Sequence, residues 1–171
     1  MTLRIERAAS LQRLRLSVVA GVVVSLLAAA GFASYVWQHR ALSQADVSVL
    51  ERSEDPPFRF DATAQSEKYA AAARLSAAGD VALPDIRAAL AAHSRDAATK
   101  YWMVIVLGNM RASAAARGLL ASLMADRDVD IYAASFLATG GNARAVALLE
   151  TAARDHSNPE RATEASDLLQ Q

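Results

Sequence analysis

The residues most able to do chemistry are few and scattered. The three histidines are His39, His93 and His156; none shows a His-x-x-x-His or His-x-Glu spacing, and the chain has no cysteine. A transition metal needs three or four such ligands brought together, so no metal site is expected. His93 follows Leu90 by three residues and Ile86 by seven, which puts it on the packed stripe of a helix. His156 falls at a helix end, where a cation is favoured by the aligned backbone dipoles. Both read as structural. Asp126, Asp128 and Asp130 alternate as in a calcium loop but lack its glycine and distal glutamate, and Asp128 is well placed to cap the following helix. The chain contains neither a Gly-x-x-x-x-Gly-Lys phosphate loop nor a Gly-x-Ser-x-Gly elbow. Tyr101 and Trp102 sit in an apolar helix and read as core rather than as a ligand pocket. No catalytic, cofactor-binding or metal residue is nominated, and no cofactor is expected.

The elements that would position any site repeat along the chain. Segments 82–96, 117–128 and 143–155 read as amphipathic helices ending in charged residues. Before them lie helices expected over Ser66 to Ala78, Asp96 to Leu107 and Asp128 to Thr139, which run into Gly79, Gly108 and Gly140-Gly141. A glycine just past a helix supplies the left-handed stop, so each marks a turn within a helical pair. The first and third units align best, with Leu75, Gly79 and Ile86 matching Leu137, Gly141 and Leu149. A repeat of about 30 residues is the signature of a helical-hairpin solenoid, in which each pair buries its apolar face against the next. Lys100 to Gly108 is apolar on every side and should be the most buried helix. Ser157-Asn158-Pro159-Glu160 offers a cap and a proline at the first helical position. Ala162, Ala165, Leu168 and Leu169 then form one stripe on a final capping helix.

The segments LSAAGDVALPDI at 75–86 and LATGGNARAVALL at 137–149 resemble HEAT-like repeats of the short, bacterial kind. The resemblance covers about residues 66–156. It departs from the pattern in the middle unit, at Leu107-Gly108-Asn109-Met110, and in lacking an arginine early in the first helix. It implies an all-α fold, a short α-solenoid of about three helical hairpins plus a capping helix, and it speaks to architecture far more than to activity. A second implication comes with it, since some short HEAT-like proteins resemble lyases that attach or handle pigment cofactors.

Where this domain works is set by an apolar run, Leu16 to Trp37, with no charge in it. As a helix, a stretch of that length reaches about 33 Å, enough to cross a hydrocarbon core of about 30 Å. Arg4, Arg7, Arg13 and Arg15 precede it against Glu6 alone, and basic residues are retained in the cytoplasm during insertion. Tyr35, Trp37 and Arg40 close its outer end as interfacial anchors, as Arg13 and Arg15 do at the inner end. The run continues past Ala28-Ala29-Ala30, which favours an uncleaved anchor over a cleaved secretory signal. The expected organisation is a basic cytoplasmic segment at 1–15, a transmembrane helix at 16–37, a helix extension and Pro56-Pro57 linker at 38–65, and the repeat domain at 66–171.

Residues 1–15 carry four basic groups against one acidic, while the whole chain balances 18 against 18. No clustered basic face recommends nucleic acid as a partner. Ser17, Gly21, Ser25, Ala29 and Ala33 recur every fourth residue and form a stripe of small side chains, which lets another membrane helix approach closely. The sequence therefore leads to a non-enzymatic, single-pass protein of the bacterial inner membrane. Its N-terminus is expected in the cytoplasm and its periplasmic domain to serve as a binding or assembly module, such as an accessory subunit of an envelope complex.

Overall fold

The computed structural model describes residues 25, 27–35, 37, 38, 40–51 and 62–170 of the 171-residue chain. The chain divides into two compact units, Met1–Gln38 and His39–Gln171. No described residue is in a strand, so the fold is all-helical among them.

In the first unit, residues 25, 27–35, 37 and 38 are helical, and Leu27, Phe32, Tyr35 and Trp37 are all more than half exposed. Among the described residues no helix is long and apolar enough to cross a membrane. The expected span at 16–37 begins outside the described residues, where Arg13, Arg15, Ser17 and Gly21 also lie, as do Pro56 and Pro57 of the expected linker.

The second unit holds α1 (residues 40–51), α2 (Ala62–Ala78), α3 (Leu83–Ala92), α4 (Ala97–Asn109), α5 (Ala114–Leu123), α6 (Asp130–Ala138), α7 (Ala143–Ala153) and α8 (Pro159–Leu169). A single 3₁₀ turn, Gly79–Val81, joins α2 to α3. From α3 onward each helix packs on the next, and α2 on α4, α4 on α6 and α6 on α8 build one continuous layer. The packing is repeat-like, and it follows from the pattern of apolar residues. Leu75, Ile86, Leu137 and Leu149, aligned by sequence, are all buried in one core.

α4 is the centre of that core. Trp102, Met103, Val104, Val106 and Leu107 are essentially inaccessible, as an all-round apolar helix requires. Its start is set by Asp96, whose side chain accepts from the Ala98 N–H at 3.0 Å. Ser113, Asn142 and Asn158 cap α5, α7 and α8 in the same way, and Pro159 takes the first position of α8 as expected. Ala162 and Ala165 of α8 are buried, but Leu169, at the end of the expected stripe, is 39% exposed.

The glycine turns are not all alike. Gly141 has a φ of 78°. The Asn142 N–H bonds to the Leu137 carbonyl at 3.1 Å and the Gly141 N–H to that of Ala138 at 2.8 Å, the paired bonds of a left-handed helix stop. Gly79, with a φ of 61°, plays the matching part after α2. Gly108 does not. α4 continues through it to Asn109, and a β-carbon built there would collide with the Phe136 ring. The expected stop is instead where the Phe136 ring of α6 rests against α4, which accounts for the irregular middle repeat.

Two further expectations are corrected. Asp128 does not cap α6; the residue at that position is Val129, with no side-chain bond. Asp126 and Asp128 instead grip the Lys100 ammonium at 2.7 and 2.8 Å, although Lys100 is only 5% exposed. Burial pulls its pKa down, but the hydrogen bonds to the two carboxylates outweigh that and hold it above the ordinary lysine value. His93 is not on a packed stripe. It stands at the C-terminus of α3, partly exposed, 3.4 Å from Glu51.

Residues 40–51, read from sequence as an extension toward the linker, contribute to the domain itself. Ser43, Asp46, Val47 and Leu50 are buried at helical spacing. The Ser43 hydroxyl donates to Asp85, whose other oxygen accepts from the Gln44 amide at 3.4 Å, and Arg74 holds Asp46 at 2.6 Å. Arg40, expected as an interfacial anchor, lies 3.9 Å from Asp85.

Alanine at position 108 should improve helix propensity by about 1 kcal/mol yet crowd Phe136, and overpacking costs about 1–3 kcal/mol. Gly108→Ala should therefore lower the urea midpoint, and pairing it with Phe136→Leu should cost less than the two single changes added together. Strict additivity would contradict the close approach.

Candidate functional site

The layer formed by α2, α4, α6 and α8 presents side chains at repeat-equivalent positions on its outer face. Residues four apart on a helix share a face, so Tyr101 and Ile105 point together from α4 and Tyr132 and Phe136 from α6, while Glu164 and Leu168 point together from α8. These pairs recur at intervals of 31 and 32 residues and make two parallel rows, Tyr101–Tyr132–Glu164 and Ile105–Phe136–Leu168. Between them runs a groove of about 530 Å³, completed by Arg111, Ser135, Thr139 and Asp167. Tyr69 of α2 continues the first row by a further 32 residues.

The rings are fixed by edge-to-face contacts. Tyr101 and Tyr132 stand with centroids 4.7 Å apart at 87°, and Tyr69 and Tyr101 each meet the buried Trp102, at 5.1 and 6.5 Å. Pairs of this geometry contribute about 0.5–1.5 kcal/mol each beyond the area they bury. At the α8 end the Tyr132 hydroxyl donates to the Glu164 carboxylate. Burial first, and then this bond, push the Tyr132 phenol well above the usual tyrosine pKa; burial also raises Tyr101. Both phenols are therefore neutral donors at physiological pH. Ser135 and Thr139 donate back to the carbonyls of Tyr132 and Phe136 at 2.8 Å. The chemistry on offer is thus apolar area, aromatic faces and a few polar groups at fixed positions, which is the make-up of a recognition site.

Among the described residues no group of three or more histidine, aspartate or glutamate side chains is placed to hold a metal ion. His156 is exposed in the turn between α7 and α8, apart from the groove. Ser25, Ala29 and Ala33 of the small-residue stripe lie on exposed helix in the first unit, as do Tyr35 and Trp37. Comparisons with protein families, with curated proteins and with solved structures found no match to this chain.

Sequence reasoning took Tyr101 and Trp102 together as core. Trp102 is fully buried, while Tyr101 packs against the core and also lines the groove. The available signal was the tyrosine at 69, 101 and 132, a period as regular as that of the glycines. The repeat of turns and core leucines does not reveal it, because the groove is built from outward positions.

The raised phenol pKa has a definite sign. In the unfolded chain Tyr132 ionises near pH 10, but in the fold it stays protonated, so stability present below about pH 10 falls as pH rises above it. Melting temperatures between pH 9 and 11 should drop for the wild type, and the drop should be smaller in Tyr132→Phe. Equal slopes would show that the Tyr132 hydroxyl is not held as described.

Proposed function

We propose that the chain is a membrane-anchored recognition module. In this reading residues 16–37 cross a bacterial inner membrane, and the repeat-like domain, a short HEAT-like α-solenoid, works in the periplasm as an accessory subunit of a larger envelope complex. The exposure of Leu27, Phe32 and Trp37, each 68% or more, supports an apolar surrounding for the first unit. The arginines at positions 4, 7, 13 and 15 support retention of the N-terminus in the cytoplasm.

The observation that carries the recognition role is the pair of rows across α4, α6 and α8. Large half-buried rings on a preformed frame lose little freedom on binding, so they are efficient anchors for a partner segment. The groove is open along its length, which suits a side-chain-bearing stretch of protein. The small-residue stripe through Ser17, Gly21, Ser25, Ala29 and Ala33 would seat a membrane helix of the same partner, and two linked contacts raise the effective concentration of each.

A photo-crosslinking residue placed at the exposed Thr139, beside the groove, should trap one protein in intact cells; the same residue at Arg87 on the exposed side of α3 should not. Gly21→Leu with Ser25→Leu should lower the yield of that product. Equal crosslinking from positions 139 and 87, or none from either, would remove the support for a groove-bound protein partner.

A further inference from the structure

A second concavity, of about 730 Å³, lies away from the aromatic rows and has the opposite chemistry. Four arginines line it: Arg127 from the α5–α6 connection, Arg144 and Arg154 from the two ends of α7, and Arg161 from the first turn of α8. Its floor is apolar, with Leu148 between the charged ends, and Asp155 is its single carboxylate. So many guanidinium groups on one lining repel one another unless an anion lies between them.

The available counter-charges are already committed or insufficient. Arg154 pairs with Glu150 at 3.2 Å and Arg161 with Asp130 at 2.5 Å. Asp155 accepts from both the hydroxyl and the backbone N–H of Ser157, at 2.5 and 3.0 Å, and is shared at longer range between Arg127 and Arg161. Arg127 meets Asp155 only beyond contact distance, and Arg144 has no carboxylate within ion-pairing distance among the described residues.

The geometry points to a binding site for a phosphate group in this concavity, held by Arg127 and Arg144. Guanidinium presents two parallel N–H groups that match the oxygens of phosphate, and a multiply charged anion can answer several arginines where a single carboxylate answers one. The group can come from a soluble phosphate or from the headgroup of an anionic phospholipid. The site is separate from the aromatic groove, so its failure would leave the recognition role untouched.

Isothermal titration of the full chain in a non-ionic detergent separates the two sources. One arm uses inorganic pyrophosphate, and the other uses short-chain, monomeric phosphatidylglycerol against the matching phosphatidylcholine. The expected result is saturable binding in at least one arm, weakened about tenfold or more, or about 1.4 kcal/mol, by Arg127→Gln with Arg144→Gln. Arg87→Gln, on α3, should leave it unchanged. Arg144→Lys serves as a second variant, which keeps the charge and loses the fork, and it should also weaken binding. Binding of pyrophosphate alone identifies a soluble ligand, and binding of phosphatidylglycerol alone identifies a lipid headgroup. No binding in either arm up to about 10 mM, or binding that the arginine variants leave unchanged, would overturn the site.

Discussion

Everything in the second unit depends on covering α4. With Trp102, Met103, Val104, Val106 and Leu107 all buried, this helix leaves only the half-covered strip of Tyr101 and Ile105 toward the groove, so it needs neighbours on its other sides. α2 and α6 flank it in one layer, and α3 and α5 close the other side. The approach of α6 is possible because position 108 has no side chain, which lets the Phe136 ring occupy the space a β-carbon would fill. Burial of about 25 cal/mol per Å² of apolar surface drives the stacking, while this one contact decides how closely the two helices approach.

Polar contacts then fix the register that apolar packing alone would leave loose. Arg74 with Asp46, Lys100 with Asp126 and Asp128, and Arg161 with Asp130 each join one element to another about one repeat away in sequence. Such partly buried pairs add little net stability, because desolvation offsets much of the attraction, but an unpaired partner would be costly, so sliding is penalised. The Ser76 hydroxyl adds a bond of 3.1 Å from α2 to the Val106 carbonyl of α4. With Ser43 and Asp85 joining α1 to α3, the frame that carries the aromatic rows is tied at several independent points.

Much of this was legible in the sequence. Helix positions, the caps at Asn158 and Pro159, the burial of α4 and the left-handed glycines at 79 and 141 follow from local pattern, because each depends on neighbours within a turn or two. What was not legible depends on contacts between distant segments. Nothing near Gly108 in sequence says that a ring 28 residues later will rest on it. Asp128 has the right type for a cap, but α6 begins only at Asp130 with Val129 at the cap position, and the Asp128 carboxylate goes to the buried Lys100 instead. The stripe Ser43, Asp46, Val47 and Leu50 was visible as a helical pattern, but its partners on α2 and α3 were not. The groove escaped notice for the same reason, since Tyr132 and Glu164 meet only once α6 and α8 are stacked.

A groove built on a tied frame is ready before any partner arrives, and that readiness is the central claim. Native-state hydrogen exchange of the free, full chain measures it directly. The expected result is that amides of α4 from Trp102 to Leu107 and of α6 from Ala133 to Leu137 exchange only by global unfolding, with one common free energy. Local opening of α6 at a free energy well below that of α4 would contradict a preformed site.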